Sequence, residues 1–182
     1  MSFTLRPGAR VACALSLLLS LIAIPVAQAN TTSGPLAWRQ AETTSDLVTH
    51  LEDWLDGRMD LPRRNSRPDI RVIGETRARN LLGASASRQG GRTRGLYDPE
   101  SSTVYLIRPW DPRNPFDASV LLHELVHHRQ AEAGHWYCPG AQELPAYRLQ
   151  DAWLGEMGLE ADVNWIAVVL EASCPRRDIH PD

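Results

Sequence analysis

Apolar residues recur at helical spacing in several stretches of the chain. The strongest stretch, over residues 116–133, has apolar side chains on most of its faces and ends at Gly134. Similar spacing predicts helices over residues 45–56, 143–154 and 160–172, because side chains three and four positions apart share one face. The last of these carries an apolar stripe formed by Leu159, Val163, Ile166 and Leu170.

Short runs rich in β-branched residues lie between the predicted helices. Residues 69–74 predict one strand, and residues 93–97 and 103–107 predict a hairpin around the turn at residues 98–101. A brief helix is predicted over residues 75–82. No internal repeat or linker divides the chain, so we expect a single α+β domain.

Two stretches without hydrophobic periodicity predict surface loops. Residues 84–92 are small, polar and rich in glycine. Residues 61–68 form a turn-rich segment, and we expect its arginines to be solvated. An anionic surface of the cell envelope is the alternative partner for this basic cluster, which consists of Arg63, Arg64, Arg67 and Arg71.

The first 29 residues predict a secretory signal peptide. Arg6 and Arg10 precede an apolar run over residues 11–26, and Ala27-Gln28-Ala29 places small residues where a signal peptidase cleaves. The apolar run is shorter than the roughly 20 residues that cross a bilayer. We therefore expect a secreted or periplasmic product of residues 30–182, monomeric and without a membrane span.

Charge and cysteine content agree with that expectation. Removing the two arginines of the signal leaves 17 basic residues against 22 acidic ones, a formal charge of −5, which argues against a nucleic-acid partner. Only Cys138 and Cys174 remain after cleavage. Exported chains with two cysteines usually form one disulfide, and two buried free thiols are the alternative.

The chemically informative motif lies in the strongest predicted helix. His123-Glu124-Leu125-Val126-His127 matches HExxH, and residues four apart on a helix can direct both imidazoles to one metal ion. Glu124 lies about 100° around the helix from His123, so it can reach a metal-held water without binding the ion itself. The alternative is a pair of ordinary surface histidines. We expect zinc, held by both histidines, with Glu124 as the general base.

A catalytic zinc ion usually has three protein ligands and one open position. Glu143 is the first candidate for the third ligand, because an antiparallel helix after the turn at residues 138–140 brings it back over the histidines. The alternative role for Glu143 is that of an acid stabilised by the helix macrodipole. His135 is the second candidate. Ala133 occupies the position six residues after His127, which excludes a third histidine at that spacing.

The motif and the residues after it carry a resemblance to a known group. HELVHH on a helix, followed by Ala141-Gln142-Glu143-Leu144-Pro145-Ala146-Tyr147, resembles the gluzincin branch of the zincin metallopeptidases over roughly residues 93–154. The resemblance implies a minimal zincin-like domain that binds zinc through His123, His127 and Glu143. It also implies Glu124 as the base for hydrolysis of peptide bonds in a peptide or protein substrate.

Two accessory features are expected beside such a site. Tyr147, one turn after Glu143, is the first candidate for the donor that stabilises the oxyanion, with His128 and His135 behind it. Packing of the Tyr147 ring between the helices is the alternative. The strand over residues 103–107 precedes the helix that carries HExxH, and an open edge there would pair with an extended substrate. An ordinary internal strand is the alternative.

Two other functions remain open from the sequence. The first is a metal-binding protein of the envelope that catalyses no reaction, and Glu124 argues against it because a structural metal site needs no base. The second is a zinc amidase that acts on amides of the cell wall with the same ligands.

Overall fold

The computed structural model describes residues 34–82, 93–133 and 136–174. The described residues all belong to one compact unit. The predicted signal peptide and the predicted loop at residues 84–92 lie outside the described residues. Within the described ranges, none of the helices has the length and apolar character needed to cross a bilayer.

The described residues form an α+β fold, as the sequence predicts. A short 3-10 helix at Ala37–Gln40 precedes the regular elements. These are α1 (Thr44–Asp56), β1 (Asp69–Ile73), α2 (Glu75–Leu82), β2 (Gly95–Asp98), β3 (Thr103–Ile107), α3 (Pro115–Gln130), α4 (Gly140–Gly155) and α5 (Trp165–Ala172). The bounds agree with the sequence-based elements within a few residues except at α5.

The three strands form one small mixed sheet in the order β1-β3-β2. β1 runs parallel to β3, and β2 runs antiparallel to it. The predicted hairpin of β2 and β3 is therefore confirmed. The prediction that residues 103–107 present an open edge is wrong, because β3 is the central strand and all five of its residues are buried.

Helix α3 is the centre of the molecule. Asn114 caps its first turn by accepting from the backbone of Phe116 at 2.9 Å, and Pro115 takes the first helical position, where a missing N–H costs nothing. The helix packs against α1, α4, β2 and β3, so it is buried on nearly every face. Leu121, Leu122, Leu125 and Val126 are each fully buried there.

Helices α3 and α4 run antiparallel. The end of α3 meets the start of α4, where the Gln130 amide donates to the Gln142 carbonyl at 3.0 Å. The start of α3 meets a later turn of α4, where Gln150 donates to the Ser119 hydroxyl at 3.0 Å. This packing is the one the sequence predicts for Glu143, which lies in the first turn of α4.

Helix α5 corrects the prediction for residues 160–172. Asn164 caps it by accepting from the backbone of Ala167 at 3.1 Å, so the helix starts five residues later than predicted. The residues before it form no regular element, and Asp151 accepts from the backbone N–H of Ala161 at 2.9 Å. The face of α5 that turns to the core also differs from the prediction. Val168 is buried, whereas the predicted stripe residues Ile166 and Leu170 are 75% and 68% exposed.

The predicted disulfide is present between Cys138 and Cys174, with the two Cα atoms 5.9 Å apart. It joins the turn before α4 to the residue that follows the C-terminal end of α5. Because Cys138 lies close to the first turn of α4, the disulfide constrains the backbone near Glu143.

The arginine cluster is only in part the predicted solvated face: Arg67 and Arg71 are exposed, whereas Arg63 and Arg64 are partly buried. Arg63 pairs with Asp53 and Asp56 at 2.7 and 2.6 Å, and Arg71 pairs with Asp69 at 2.7 Å. Arg64 has a side chain only 12% exposed. Acidic residues of this chain therefore pair with Arg63, Arg64 and Arg71. The sequence did not indicate these pairs, because they depend on the tertiary fold.

Candidate metal centre

Three side chains converge between α3 and α4. The Nε2 atoms of His123 and His127 lie 3.0 Å apart. Glu143 approaches both rings, with its carboxylate oxygens 3.4 Å from Nε2 of His123 and 3.6 Å from Nε2 of His127. One donor atom from each of the three residues lies within 4.8 Å of the others, an arrangement that could hold a metal ion.

The spacing of these atoms can be compared with that of a zinc site. Tetrahedral zinc with ligand bonds of about 2.0–2.1 Å places its donor atoms roughly 3.3–3.4 Å apart. The three observed separations bracket that value. Two imidazoles and a carboxylate are also a ligand set that catalytic zinc uses. The residues therefore fit the ion that the sequence predicts.

The charges of the three side chains are strongly coupled. Burial lowers the pKa of His127, but the hydrogen bond to Glu143 and the charges of Glu124 and Glu143 outweigh it and raise this pKa to about 9. Burial raises the pKa of Glu143, yet its hydrogen bonds to His123 and His127 hold this pKa well below its usual range. Glu143 is therefore ionised at neutral pH, as a metal ligand must be.

Glu124 lies beside this group and outside it. It is 5% exposed, and burial is the main cause that raises its pKa above the usual value for glutamate. A Cβ atom on Gly95 would stand 2.5 Å from Oε1 of Glu124 and 2.8 Å from Cγ1 of Val120. Strand β2 therefore approaches α3 closely at Gly95, and only a glycine leaves room for the carboxylate.

The register of β2 explains another contact of Glu124. Ile107 donates its backbone N–H to the carbonyl of Arg94 at 2.9 Å, so every second residue of this strand bonds to β3. The backbone groups of Gly95 and Tyr97 consequently point away from β3. A hydrogen bond from the backbone of Tyr97 lowers the pKa of Glu124 against the effect of burial.

Tyr147 lies next to the candidate metal ligands, as predicted. Its ring packs edge-on against the His123 ring, with centroids 4.4 Å apart. Burial and then the negative charges of Glu143 and Glu124 raise the pKa of Tyr147 to about 12. The phenol is therefore protonated at neutral pH and able to donate a hydrogen bond. This ring contact confirms the packing alternative, and the donor role of Tyr147 stays a prediction.

His128 points to the opposite side of α3 and is not a donor for the site. Its Nε2 donates to the Ser66 carbonyl at 2.9 Å, so Nδ1 is the acceptor for Arg64 and for the Tyr97 hydroxyl, each at 3.1 Å. Burial and the neighbouring arginines lower the pKa of His128. The reserve role given to His128 is therefore wrong. His135, the other reserve candidate, lies outside the described residues.

Two residues of the site were not found from the sequence. Gly95 lies on a different element from the motif, so no local pattern connects it with Glu124. Gln130 accepts a hydrogen bond from Nδ1 of His127 at 2.8 Å. Its spacing of three residues from His127 puts both on one face of α3, and this spacing was the available signal.

Comparison with known proteins places the chain in a family. The model of one family, described as Domain of unknown function (DUF6647), matches residues 40–182. No curated protein and no solved structure gives a significant match. The matched range contains the whole candidate metal centre and every described regular element from α1 to α5. The chain therefore belongs to the family of the domain of unknown function DUF6647.

Proposed function

We propose that this protein is a zinc-dependent hydrolase of peptide bonds that acts outside the cytoplasm. The observation that carries the proposal is the convergence of His123, His127 and Glu143, with Glu124 buried beside them. The resemblance of this arrangement to gluzincins supports a catalytic role. The disulfide and the signal-like sequence of residues 1–29 support an oxidising compartment, secreted or periplasmic.

The roles of the residues follow from their positions. A bound zinc ion would supply Lewis acidity and activate a water molecule. Glu124 accepts the proton of that water, for which its raised pKa is suited, and delivers it to the leaving amine. Tyr147 keeps its proton at neutral pH and donates a hydrogen bond to the developing oxyanion.

The sheet supports a peptide as the substrate. Among the described strands, β2 lies at one edge; the outer backbone groups of Gly95 lie next to Glu124, and the outer N–H of Tyr97 already donates to that carboxylate. An extended peptide that adds to this edge places its own backbone beside the base. The edge at β2 replaces the one predicted at β3, and it favours a polypeptide over an isolated cell-wall amide.

The test compares the exported protein with two variants. Metal content is measured after purification, and cleavage of an unfolded protein is followed with zinc present. Glu124→Gln should retain zinc and lose activity by about 10²–10⁴-fold, because the general base is removed. Glu100→Gln, at an exposed position of the hairpin turn, is the matched control and should cleave like the wild type.

The outcomes separate the three functions. Zinc bound by wild type and Glu124→Gln with no turnover of peptides or cell-wall amides would favour a non-catalytic metal-binding protein of the envelope. Turnover of cell-wall amides alone would favour the amidase. Purified protein that binds no metal would contradict the proposal itself.

A further inference from the structure

Gln130 is the residue that connects two of the three metal ligands. It is the last residue of α3, one turn after His127, and its side chain is completely buried. Its Oε1 accepts from Nδ1 of His127 at 2.8 Å, and its Nε2 donates to the carbonyl of Gln142 at 3.0 Å. Gln142 directly precedes Glu143. One amide group therefore lies between the ring of one ligand and the backbone of another.

The direction of both hydrogen bonds is fixed by the chemistry of the partners. The Gln142 carbonyl can only accept, so the amide must present its NH₂ group to it. The amide oxygen then faces His127 and can only accept, which places a proton on Nδ1 of that ring. When the ring is neutral, as a metal ligand must be, Nε2 of His127 then carries the lone pair, and this is the atom that faces His123 and Glu143.

The other imidazole is held in a different way. Within the described residues, Nδ1 of His123 has no hydrogen-bond partner, and the ring is packed against Tyr147 at 4.4 Å between centroids. Among the described residues, Gln130 therefore supplies the hydrogen bond that holds the pair on the side of the rings away from Glu143. Its main chain is fixed as well, because its carbonyl accepts from the indole N–H of Trp136 at 3.2 Å.

We propose that Gln130 is a positioning residue of the metal site, which fixes the tautomer and orientation of His127 and holds the first turn of α4 so that Glu143 reaches the same ion. This inference rests on the proposed metal site but not on turnover. Loss of such a partner of a metal-binding histidine typically lowers metal affinity 10–100-fold. Leucine at this position fills similar volume and leaves both polar partners unpaired.

The test measures zinc affinity by competition with a chromogenic chelator, in wild type and three variants. Gln130→Leu should bind zinc 10–100-fold more weakly. Gln130→Glu keeps an acceptor for His127 and loses the donor to Gln142, so its affinity should lie between those of Gln130→Leu and the wild type. Gln150→Leu is the matched control, because this amide also bonds α4 to α3, at Ser119 and away from the ligands.

A second readout does not depend on the variants folding. In zinc-loaded wild-type protein, NMR of the histidine ring nitrogens should show a proton on Nδ1 of His127 that exchanges slowly with water. The Nδ1 proton of His123 should exchange faster, because it has no partner among the described residues.

The outcomes distinguish this inference from the proposed function. Equal zinc affinity of Gln130→Leu and Gln150→Leu would overturn it, as would a His127 ring bound to zinc through Nδ1. Zinc affinity that falls as expected in a protein without peptidase activity would support the inference and contradict only the proposed function. A wild-type protein that binds no zinc would contradict both.

Discussion

Glu124 depends on one glycine of the neighbouring strand. A carboxylate used as a base must be buried enough to raise its pKa and close enough to reach the water that it deprotonates. Burial beneath β2 provides the raised pKa, and the missing side chain of Gly95 provides the space. The identity of residue 95 is therefore set by the position of Glu124 rather than by any need of the strand.

Substitution of Gly95 tests this dependence. In Gly95→Ala the new methyl group would stand 2.5 Å from Oε1 of Glu124, and the flexible carboxylate is the group that can move. We expect peptide hydrolysis to fall about 10²-fold, since displacement of a catalytic group by about 1 Å has that effect. Zinc affinity should stay within a few-fold of wild type, because the ligands lie on other elements.

The control for this prediction is Gly74→Ala. A Cβ atom on Gly74 meets nothing within 4 Å, and the residue lies far along the chain from the motif. This variant should cleave like the wild type. Unchanged hydrolysis by Gly95→Ala would mean that Glu124 is not the base or is not held by β2.

At the scale of elements, the site depends on how the start of α4 is held. Glu143 is presented by the first turn of this helix, and the end of α5 packs directly against that turn. A Cβ atom on Gly140 would clash with the carbonyl oxygen of Glu171, so the two helix ends are in close contact. The disulfide of Cys138 and Cys174 makes this contact covalent. The position of Glu143 therefore depends on the contact between the start of α4 and the end of α5.

Removal of the disulfide should affect metal binding as well as stability. Cys138→Ser opens a loop of 36 residues in the unfolded chain, and we expect a loss of about 2–4 kcal/mol in the free energy of unfolding. Zinc affinity should fall too, because the turn before Glu143 is less constrained. Urea unfolding and chelator competition measure the two effects.

Cys174→Ser supplies the internal control, since it breaks the same bond from the other helix end. The two variants should lose similar stability and similar zinc affinity. If zinc affinity in both equals that of wild type, the disulfide supports the fold and has no part in positioning Glu143.

At the scale of the whole molecule, a buried ion pair joins α3 to α1. The Arg129 side chain is 1% exposed and pairs with Glu52, whose side chain is 6% exposed. Its Nε donates to Glu52 at 2.9 Å, its Nη2 donates to Asp56 at 2.6 Å, and its Nη1 donates to the Leu61 carbonyl at 3.1 Å. The guanidinium thus unites α3, α1 and the loop that follows α1.

Buried and exposed pairs should differ sharply on substitution. Arg129→Met removes the closest partner of the buried Glu52 and leaves only its ion pair with Arg63 at 3.6 Å, and we expect the free energy of unfolding to fall by about 3–5 kcal/mol. Arg58→Met removes an ion pair with Glu156 in which the arginine side chain is 41% exposed, and we expect at most about 1 kcal/mol. Chemical denaturation measures the free energy of unfolding of both variants. Equal losses would contradict the conclusion that the buried pair of Arg129 stabilises the fold more than the exposed pair of Arg58.

The residues of the metal site differ in how far the sequence could identify them. His123, Glu124 and His127 follow from helical periodicity alone, because four-residue spacing fixes their relative directions before any tertiary contact forms. Glu143 required the further assumption that two helices pack antiparallel, which the structure confirms. Gly95 could not be identified, since its role arises from the approach of a distant strand to α3.

The sequence by itself determined the α+β class, the helix that carries the HExxH motif, the hairpin and the pairing of Cys138 with Cys174. The elements depend on the spacing of residues along the chain, and the disulfide follows from the number of cysteines. Tertiary structure alone decided that β3 is central and β2 lies at the edge, that α5 buries Val168 and exposes Ile166, and that Arg129 is buried while Arg58 is not. Those outcomes depend on which surfaces meet across long stretches of chain, and the energy of burial is not encoded in the spacing of residues along one element.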